Sequence, residues 1–537
     1  MSVAAGELAG TGSLTRFALR RDRLMIPAWV YVVTIGVASN AFTFKRLYRT
    51  PAQREQLAAS GGHNPALTFL YSRLYGDSIG ALTAWRYGVW AALFAALMSI
   101  FIVVRHTRAD EEAGRLELVG STAVGRRVPL TVALAVAGAA NATLAVLIGL
   151  VLVAIGLPAP GSVAFALAIG LCGLAFAFMA AFAAQLTSGA RAARGIAIAV
   201  LGAAFVLRAV GDAAGTAGPS WLTWLSPLGW TEFARPYVGD RWWVLLLPLA
   251  LAVAAGGAAY AVAGRRDHGA GLIPGRPGRP EAGALLSGPA GLAWRLQRGA
   301  LAGWALGFVI TMAASGAAGK GIGSLLGSST QLRNEFTRLG GQAVITNAYL
   351  AAITSLAGLA AAAYAVSAVL RLRSEENGDL AEPVLTTATG RVRWALSHLT
   401  IAVGGTAVLL ALSGVATGLG YGLRAGDAGT EVPRLLGAAM AQRPATLAVA
   451  GVAVAVFGAF PGISVAGGWT AVAAVAAIFL FGSALRLPQW ALDISPFTHV
   501  PRLPGVAVQA APLAWLTVAA VVLAAAGLAA LRVRDIG

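Results

Sequence analysis

Charge is what this chain has least of. Of its 537 residues only 12% are Asp, Glu, Lys or Arg, while 58% are hydrophobic. A soluble domain carries about 25% charged residues, so a fully water-exposed surface is excluded for a chain of this size. Cysteine occurs once, at Cys172, inside an apolar run. That excludes an intramolecular disulfide and a thiolate metal site, and leaves a small buried hydrophobe. Lys45 and Lys320 are the only lysines, so the basic residues are almost all arginine. The five histidines, His63, His106, His268, His398 and His499, lack metal-like spacing. His398 is expected to bond a neighbouring helix, and His499 to be structural. A phosphate-binding loop is also missing. Gly319-Lys320 is the only Gly-Lys pair, and Ala314 and Gly321 stand where the motif needs Gly and Ser or Thr. The arginines before the first apolar run lead into a stretch long enough to stay as a span, so no cleaved leader is expected.

What remains is a series of apolar runs of about 20 residues, the length that crosses ~30 Å of hydrocarbon. Spans are expected near 24–44, 83–104, 129–156, 162–187, 195–216, 242–264, 300–318, 345–370, 394–419, 445–460, 468–485 and 510–531. All are expected to be helices, because an open strand leaves backbone groups unsatisfied in lipid. The expected fold is an all-α polytopic membrane protein of two tandem six-helix halves, residues 1–264 and 299–537. A linker at 265–298, rich in Gly, Pro and Arg, would join them. Six spans per half make the repeats parallel, related by an axis along the membrane normal. The bias of Lys and Arg among the loops puts both termini inside. Segment 45–82 is expected to form an external cap of short amphipathic helices.

The halves share a charged phrase. Residues 111–126 read EEAGRLELVGSTAVGR and residues 375–391 read EENGDLAEPVLTTATGR. Glu111, Glu112 and Gly114 match Glu375, Glu376 and Gly378 at an offset of 264. After one inserted residue, Thr122, Gly125 and Arg126 match Thr387, Gly390 and Arg391 at 265. In that register Arg115 faces Asp379, a charge reversal, and Glu382 falls one residue after the counterpart of Glu117. Two further landmarks recur in order: Ser226-Pro227 with Ser495-Pro496, and Arg266-Asp267 with Arg534-Asp535. The acids of the phrase admit two readings. They can cap helix starts, at roughly 0.3–1 kcal/mol each, with nearby arginines pairing to them or to lipid phosphates. Alternatively, each copy is a short intracellular helix that docks into a groove on a soluble partner presenting two equivalent grooves.

Four stretches carry a resemblance: RADEEAGRLELVGSTAVGRR (108–127), WLSPLGWTEFARPY (224–237), RSEENGDLAEPVLTTATGRVRW (373–394) and LPQWALDISPFTHVPRLPG (487–505). In this order, with the spans, the chain resembles the membrane subunit of a bacterial ATP-binding-cassette exporter. The likeness is to the twelve-span polyketide-antibiotic, tetronasin-type permeases. The resemblance implies that Glu111, Glu112, Gly114, Glu117, Glu375, Glu376, Gly378 and Glu382 couple to a separate ATPase, with Arg126 and Arg391 closing each phrase. It implies two soluble ATPase copies per chain, which would hold ATP and Mg2+, and no cofactor in the chain itself. The expected substrate is a hydrophobic or amphiphilic small molecule moved out across a bacterial inner membrane, with lipid as the other contact and nucleic acid as none.

Other residues mark a possible path or gate. Arg208 and Asp212 are four apart in the fifth span, where an unpaired charge is costly; they read as an ion pair or part of an outward gate. Asn141 is interhelical glue or pathway lining. Trp221, Trp224, Trp230, Trp242 and Trp243 form an interfacial belt or an external gate. Two competing functions stay open. An ion-coupled secondary transporter would need acids within spans, where Asp212 is the only one expected. A lipid-modifying membrane enzyme would need an interfacial ligand cluster that these Arg-flanked glutamates fit poorly.

Overall fold

The computed structural model describes residues 9–62, 65–120, 124–213, 219–266, 271–273, 283, 288–326, 342–481 and 487–535. Most of the expected linker, His63, Thr122, Asp267, His268 and the expected span ends at 214–216 and 482–485 lie outside them. Every regular element among the described residues is helical.

Among the described residues, twelve helices are long and apolar enough to span a membrane. They are α1 Met25–Leu47, α2 Ile79–Glu112, α3 Val128–Ile155, α4 Ala159–Leu186, α5 Ala190–Ala213, α6 Trp242–Ala263, α7 Pro289–Gly319, α8 Thr346–Glu376, α9 Arg391–Ala425, α10 Ala428–Ala459, α11 Pro461–Phe479 and α12 Ala510–Val533. The protein is an all-α, multi-pass membrane protein. Three differences from the expected spans share a cause. Helix α2 continues past its apolar run through a wide π turn at Arg105–Ala109, α7 begins inside the stretch read as a linker, and α10 begins with an amphipathic helix, Ala428–Met440. Hydropathy sees only lipid-facing length. Arginines on long stems, such as Arg295 and Arg298 in α7, extend a helix into the interface.

The chain divides into two compact units, Met1–Gly278 and Arg279–Gly537. The core of unit 1 joins Ala92, Met98 and Ile102 of α2, Leu144 and Ile148 of α3, and Ile169 and Phe176 of α4. That of unit 2 joins Ala361 and Val366 of α8, Leu409 and Leu410 of α9, and Val449 and Ala453 of α10. Hydrocarbon gives two apolar helices no hydrophobic reason to associate, so close backbone packing must do it. In unit 2, α10 and α12 touch at Gly458 and Gly527: a Cβ on Gly458 would lie 2.0 Å from the Gly527 carbonyl oxygen. Only glycine fits that crossing.

Short helices occupy the longer connections. Between α1 and α2 lie Pro51–Gly61, begun by a Thr50/Gln53 capping box, and Pro65–Leu70. Between α5 and α6 lie the turn Ser220–Leu225 and the helix Pro227–Phe233, whose first turn is capped by the Ser226 hydroxyl.

Candidate functional site

The repeated phrase closes a clamp in each unit. In unit 1 the π turn at the end of α2 aims Arg108 and Glu111 at the residues following α6. Arg108 Nη1 donates to Glu111 Oε2 at 2.8 Å. Arg266 takes the same carboxylate with both arms, Nη1 to Oε1 at 2.9 Å and Nη2 to Oε2 at 3.1 Å. Arg126 donates to the Arg266 carbonyl, and Arg266 Nε reaches Gln185 Oε1 at 2.6 Å. A bidentate arginine–carboxylate pair is among the stronger polar contacts a protein makes. Here the Glu111 side chain is only 9% exposed.

Unit 2 repeats this arrangement. Arg373 Nη1 lies 3.0 Å from Glu376 Oε2, Arg534 bonds the same carboxylate, and Arg391 Nη1 donates to the Arg534 carbonyl at 2.7 Å. The partners Arg108/Arg373, Glu111/Glu376 and Arg126/Arg391 are all 265 apart. The register expected from the sequence is therefore corrected: the offset is 265 throughout, with no inserted residue. Backbone conformation agrees. Gly114 has φ +67° and Asp379 has φ +54°, so Asp379 is the counterpart of Gly114, and Gly378 is not. Glu117 and Glu382 become true equivalents. The Arg115/Asp379 charge reversal disappears, being an artefact of aligning one glycine with another.

The acids beside the clamp carry the asymmetry. Asp110 accepts from Arg21 at 2.8 Å and from Arg115 at 2.7 Å. Its counterpart Glu375 instead faces Arg371 at 3.4 Å, His398 Nε2 at 3.3 Å and Trp394 Nε1 at 3.3 Å. His398 Nδ1 meets Gln297 Nε2 at 2.9 Å, so the histidine does tie neighbouring helices. In unit 1 His106 Nε2 sits 2.6 Å from Asp22 Oδ2. Glu112 accepts the Ala190 N–H at 2.9 Å, at the start of α5, where the helix dipole favours an anion. Its counterpart is Asn377, so this tie belongs to unit 1 alone. Outside the clamps each phrase presents an exposed knuckle: Ala113, Arg115 and Glu117 in one unit, Gly378, Asp379, Leu380 and Glu382 in the other.

A second charged cluster lies at the other end of α5. Arg208 is fully buried and donates to the carbonyls of Thr68, Phe69 and Tyr71 and to Asp212 Oδ2 at 3.3 Å. Asp212 Oδ1 also accepts from Thr223 Oγ1 at 2.8 Å and faces Arg73 Nε at 3.2 Å. The expected ion pair is thus the centre of a network joining segment 65–73, α5 and the turn at 220–225. Sequence reading overlooked its fourth member, Glu232. Burial, and the Asp212 carboxyl next to it, push the Glu232 carboxyl well above the usual range. Asn141 bonds Ser99 Oγ at 2.8 Å across α3 and α2. Trp224 stacks on Phe233 at 4.1 Å and on Trp243 at 6.1 Å, and its carbonyl accepts from Trp230 Nε1. Trp224, Phe233 and Trp243 form one local stack, with Trp230 tied to it by its hydrogen bond. No cluster of metal-ligating side chains occurs among the described residues.

Comparison with known proteins agrees with this architecture. Residues 286–532 match the family described as "Multidrug efflux system permease Rv1217c, C-terminal domain". Over 528 residues the chain is 43% identical to the multidrug efflux system permease protein Rv1217c of Mycobacterium tuberculosis, covering 98% of this chain and 95% of that relative. With similarity of that strength covering nearly the whole chain, it belongs to the family of Rv1217c-type multidrug efflux system permeases.

Proposed function

We propose that the chain is the permease subunit of an ATP-binding-cassette exporter. It moves hydrophobic or amphiphilic small molecules outward, of the antibiotic-like kind suggested by the tetronasin-type resemblance. ATP and Mg2+ are held by separate ATPase subunits, one docked at 108–127 and one at 373–394. In this reading both termini and both clamps face the cytoplasm of a bacterial inner membrane. One observation carries it. The clamp is built twice in the same register, after the second span of each unit, and each time leaves a short exposed knuckle on a buried ionic base. A rigid base under an exposed tip is what a force-bearing contact with a soluble partner requires, because a loose tip would absorb the partner's motion. Capping alone needs neither the recurring arginine from the distant tail nor the positive-φ turn.

In this reading the acids divide the labour. Glu111, Glu376, Arg126 and Arg391 hold the base, while Glu117 and Glu382 face outward to the ATPase. The double variant E117A/E382A is expected to lower ATP-driven efflux by about tenfold or more, as when an interface anchor worth at least about 1.4 kcal/mol is lost. Its thermal stability should stay within about 0.5 kcal/mol of wild type. Efflux assays in inverted vesicles, with and without the co-expressed ATPase, check both. Normal ATP-driven efflux by that variant would remove the docking assignment. Efflux in ATP-free vesicles under an ion gradient would replace this reading with an ion-coupled one.

A further inference from the structure

Glu232 sits where a carboxylate has little reason to be ionised. It is 7% exposed, and its Oε1 meets no donor among the described residues. Oε2 accepts one bond, from the Arg73 main-chain N–H at 3.3 Å. A second carboxyl, that of Asp212, lies against the same residue, with Arg73 Nε 3.2 Å from Asp212 Oδ1. The charged and titratable groups around it come from three segments. Arg73 and Tyr75 belong to the connection before α2, Arg208 and Asp212 to α5, and Arg235 follows the helix Pro227–Phe233. Among the described residues no arginine side chain hydrogen-bonds Glu232. Arg208 serves three carbonyls and Asp212, Arg73 serves the Gly211 carbonyl and Asp212, and Arg235 lies over the Tyr75 ring at 4.5 Å.

Two acceptor groups that face each other with no donor between them can be reconciled by one proton, which turns one into an O–H donor. We propose that Asp212 and Glu232 form a one-proton site, with the proton resident on Glu232 at neutral pH and donated toward Asp212. Each of two carboxyl groups in one buried site disfavours the charged form of the other. The raised affinity of Glu232 for a proton follows first from desolvation and second from Asp212. A cavity of about 20 Å³ lined by Glu232, Arg73, Tyr75, Ser72, Trp85 and Phe165 adjoins the site. It has room for a single water, the carrier a proton needs to enter or leave. Burial also raises the Tyr75 hydroxyl, so that phenol stays protonated and does not compete as a base.

The proton joins the ties between the connection before α2, α5 and the Pro227–Phe233 helix. The folded chain binds it more tightly than the unfolded chain does. Its stabilisation is therefore full at acidic pH and is lost as pH rises through the folded-state value.

Infrared spectroscopy of the purified full-length protein in nanodiscs tests this without ATPase or substrate. Wild type should show the carbonyl band of a protonated carboxyl at neutral pH. The band should vanish in E232Q and persist in E431Q, because Glu431 is ion-paired with Arg434. The unfolding midpoint should fall as pH rises from the ordinary carboxyl range to the pH at which the band disappears, and level off beyond it; E232Q should lose that fall. A wild-type spectrum without the band at neutral pH overturns the site, and would leave an ionised Glu232 served by water. A band that survives in E232Q overturns it equally. The wild-type titration decides the question by itself where E232Q fails to fold.

Discussion

Unit 1 holds the tail after α6 through Glu111 and Arg266, and unit 2 holds the tail after α12 through Glu376 and Arg534. In each an arginine of the phrase, Arg126 or Arg391, bonds the carbonyl of the tail arginine. At the other end the units differ. Helix α5 carries the fully buried Arg208–Asp212 pair and its network. Helix α11, in the same place of its unit, has no charged residue. The landmark serine differs too: Ser226 Oγ caps Leu228 and bonds the Ala204 carbonyl, while Ser495 Oγ has no partner among the described residues. The duplicated end repeats with its ionic partners intact, whereas at the other end the α5 cluster is not repeated in α11 and unit 2 instead ties Arg434 to Glu431 and Asn347. Repetition thus marks a demand met twice, here the attachment of a tail beneath an exposed knuckle. Asymmetry marks a task that one unit performs alone.

The contrast is broken most directly at Arg208. Its substitution by Met should destabilise the protein by about 3–5 kcal/mol, because removing one partner strands a buried opposite charge. Thermal unfolding in detergent should show a lower midpoint, with part of the loss recovered in R208M/D212N. If R208M lies within about 1 kcal/mol of wild type, the network is not what holds segment 65–73 against α5, and the two units are more alike than their charges indicate.

The clamps should respond together and less strongly. E111Q and E376Q each remove a charge-assisted pair from a nearly buried site, which should cost about 1.5–3 kcal/mol. The two losses should be of similar size. A large loss for one and none for the other would show that the second clamp is a relic of duplication. E112A should remove only the tie to the Ala190 N–H, a loss near 1 kcal/mol, and N377A should remove nothing.

Much of this was legible in the sequence. Apolar length located every span, and the repeated phrase located both clamps. The tail arginines Arg266 and Arg534 were visible as landmarks, but contact with Glu111 and Glu376 is a tertiary fact that hydropathy does not carry. Glu232 was missed because it lies in a seven-residue helix outside the spans. Nothing in the local pattern WLSPLGWTEF says that its acid folds under to meet Asp212. The register error came from weighting glycine identity. A chemical comparison would have paired Asp110 with Glu375, Glu111 with Glu376 and Glu117 with Glu382 at one offset, and accepted Asp opposite Gly. That substitution is tolerable because Asp is among the few residues that visit the left-handed region.

The register yields the smallest and most discriminating prediction. Gly114 has φ +67° and no neighbour within 4 Å of an added Cβ, so G114A should cost only the backbone penalty of about 1–2 kcal/mol. Asp379 already bears that strain at φ +54°. D379G should therefore match or exceed wild-type stability, by up to about 1 kcal/mol, since glycine sheds the strain while losing chain entropy on folding. Gly378 does not have a positive φ, and a Cβ there would meet the Ser374 carbonyl at 3.3 Å, a contact that yields with a slight shift. G378A should then fall within about 0.5 kcal/mol of wild type. Under the discarded register Gly378 is the equivalent of Gly114, so G378A would cost the same as G114A, about 1–2 kcal/mol, and D379G would bring no gain. Unfolding midpoints of the three variants, measured side by side, separate the two alignments even though no ion pair is touched, because the only quantity altered is the handedness of one turn.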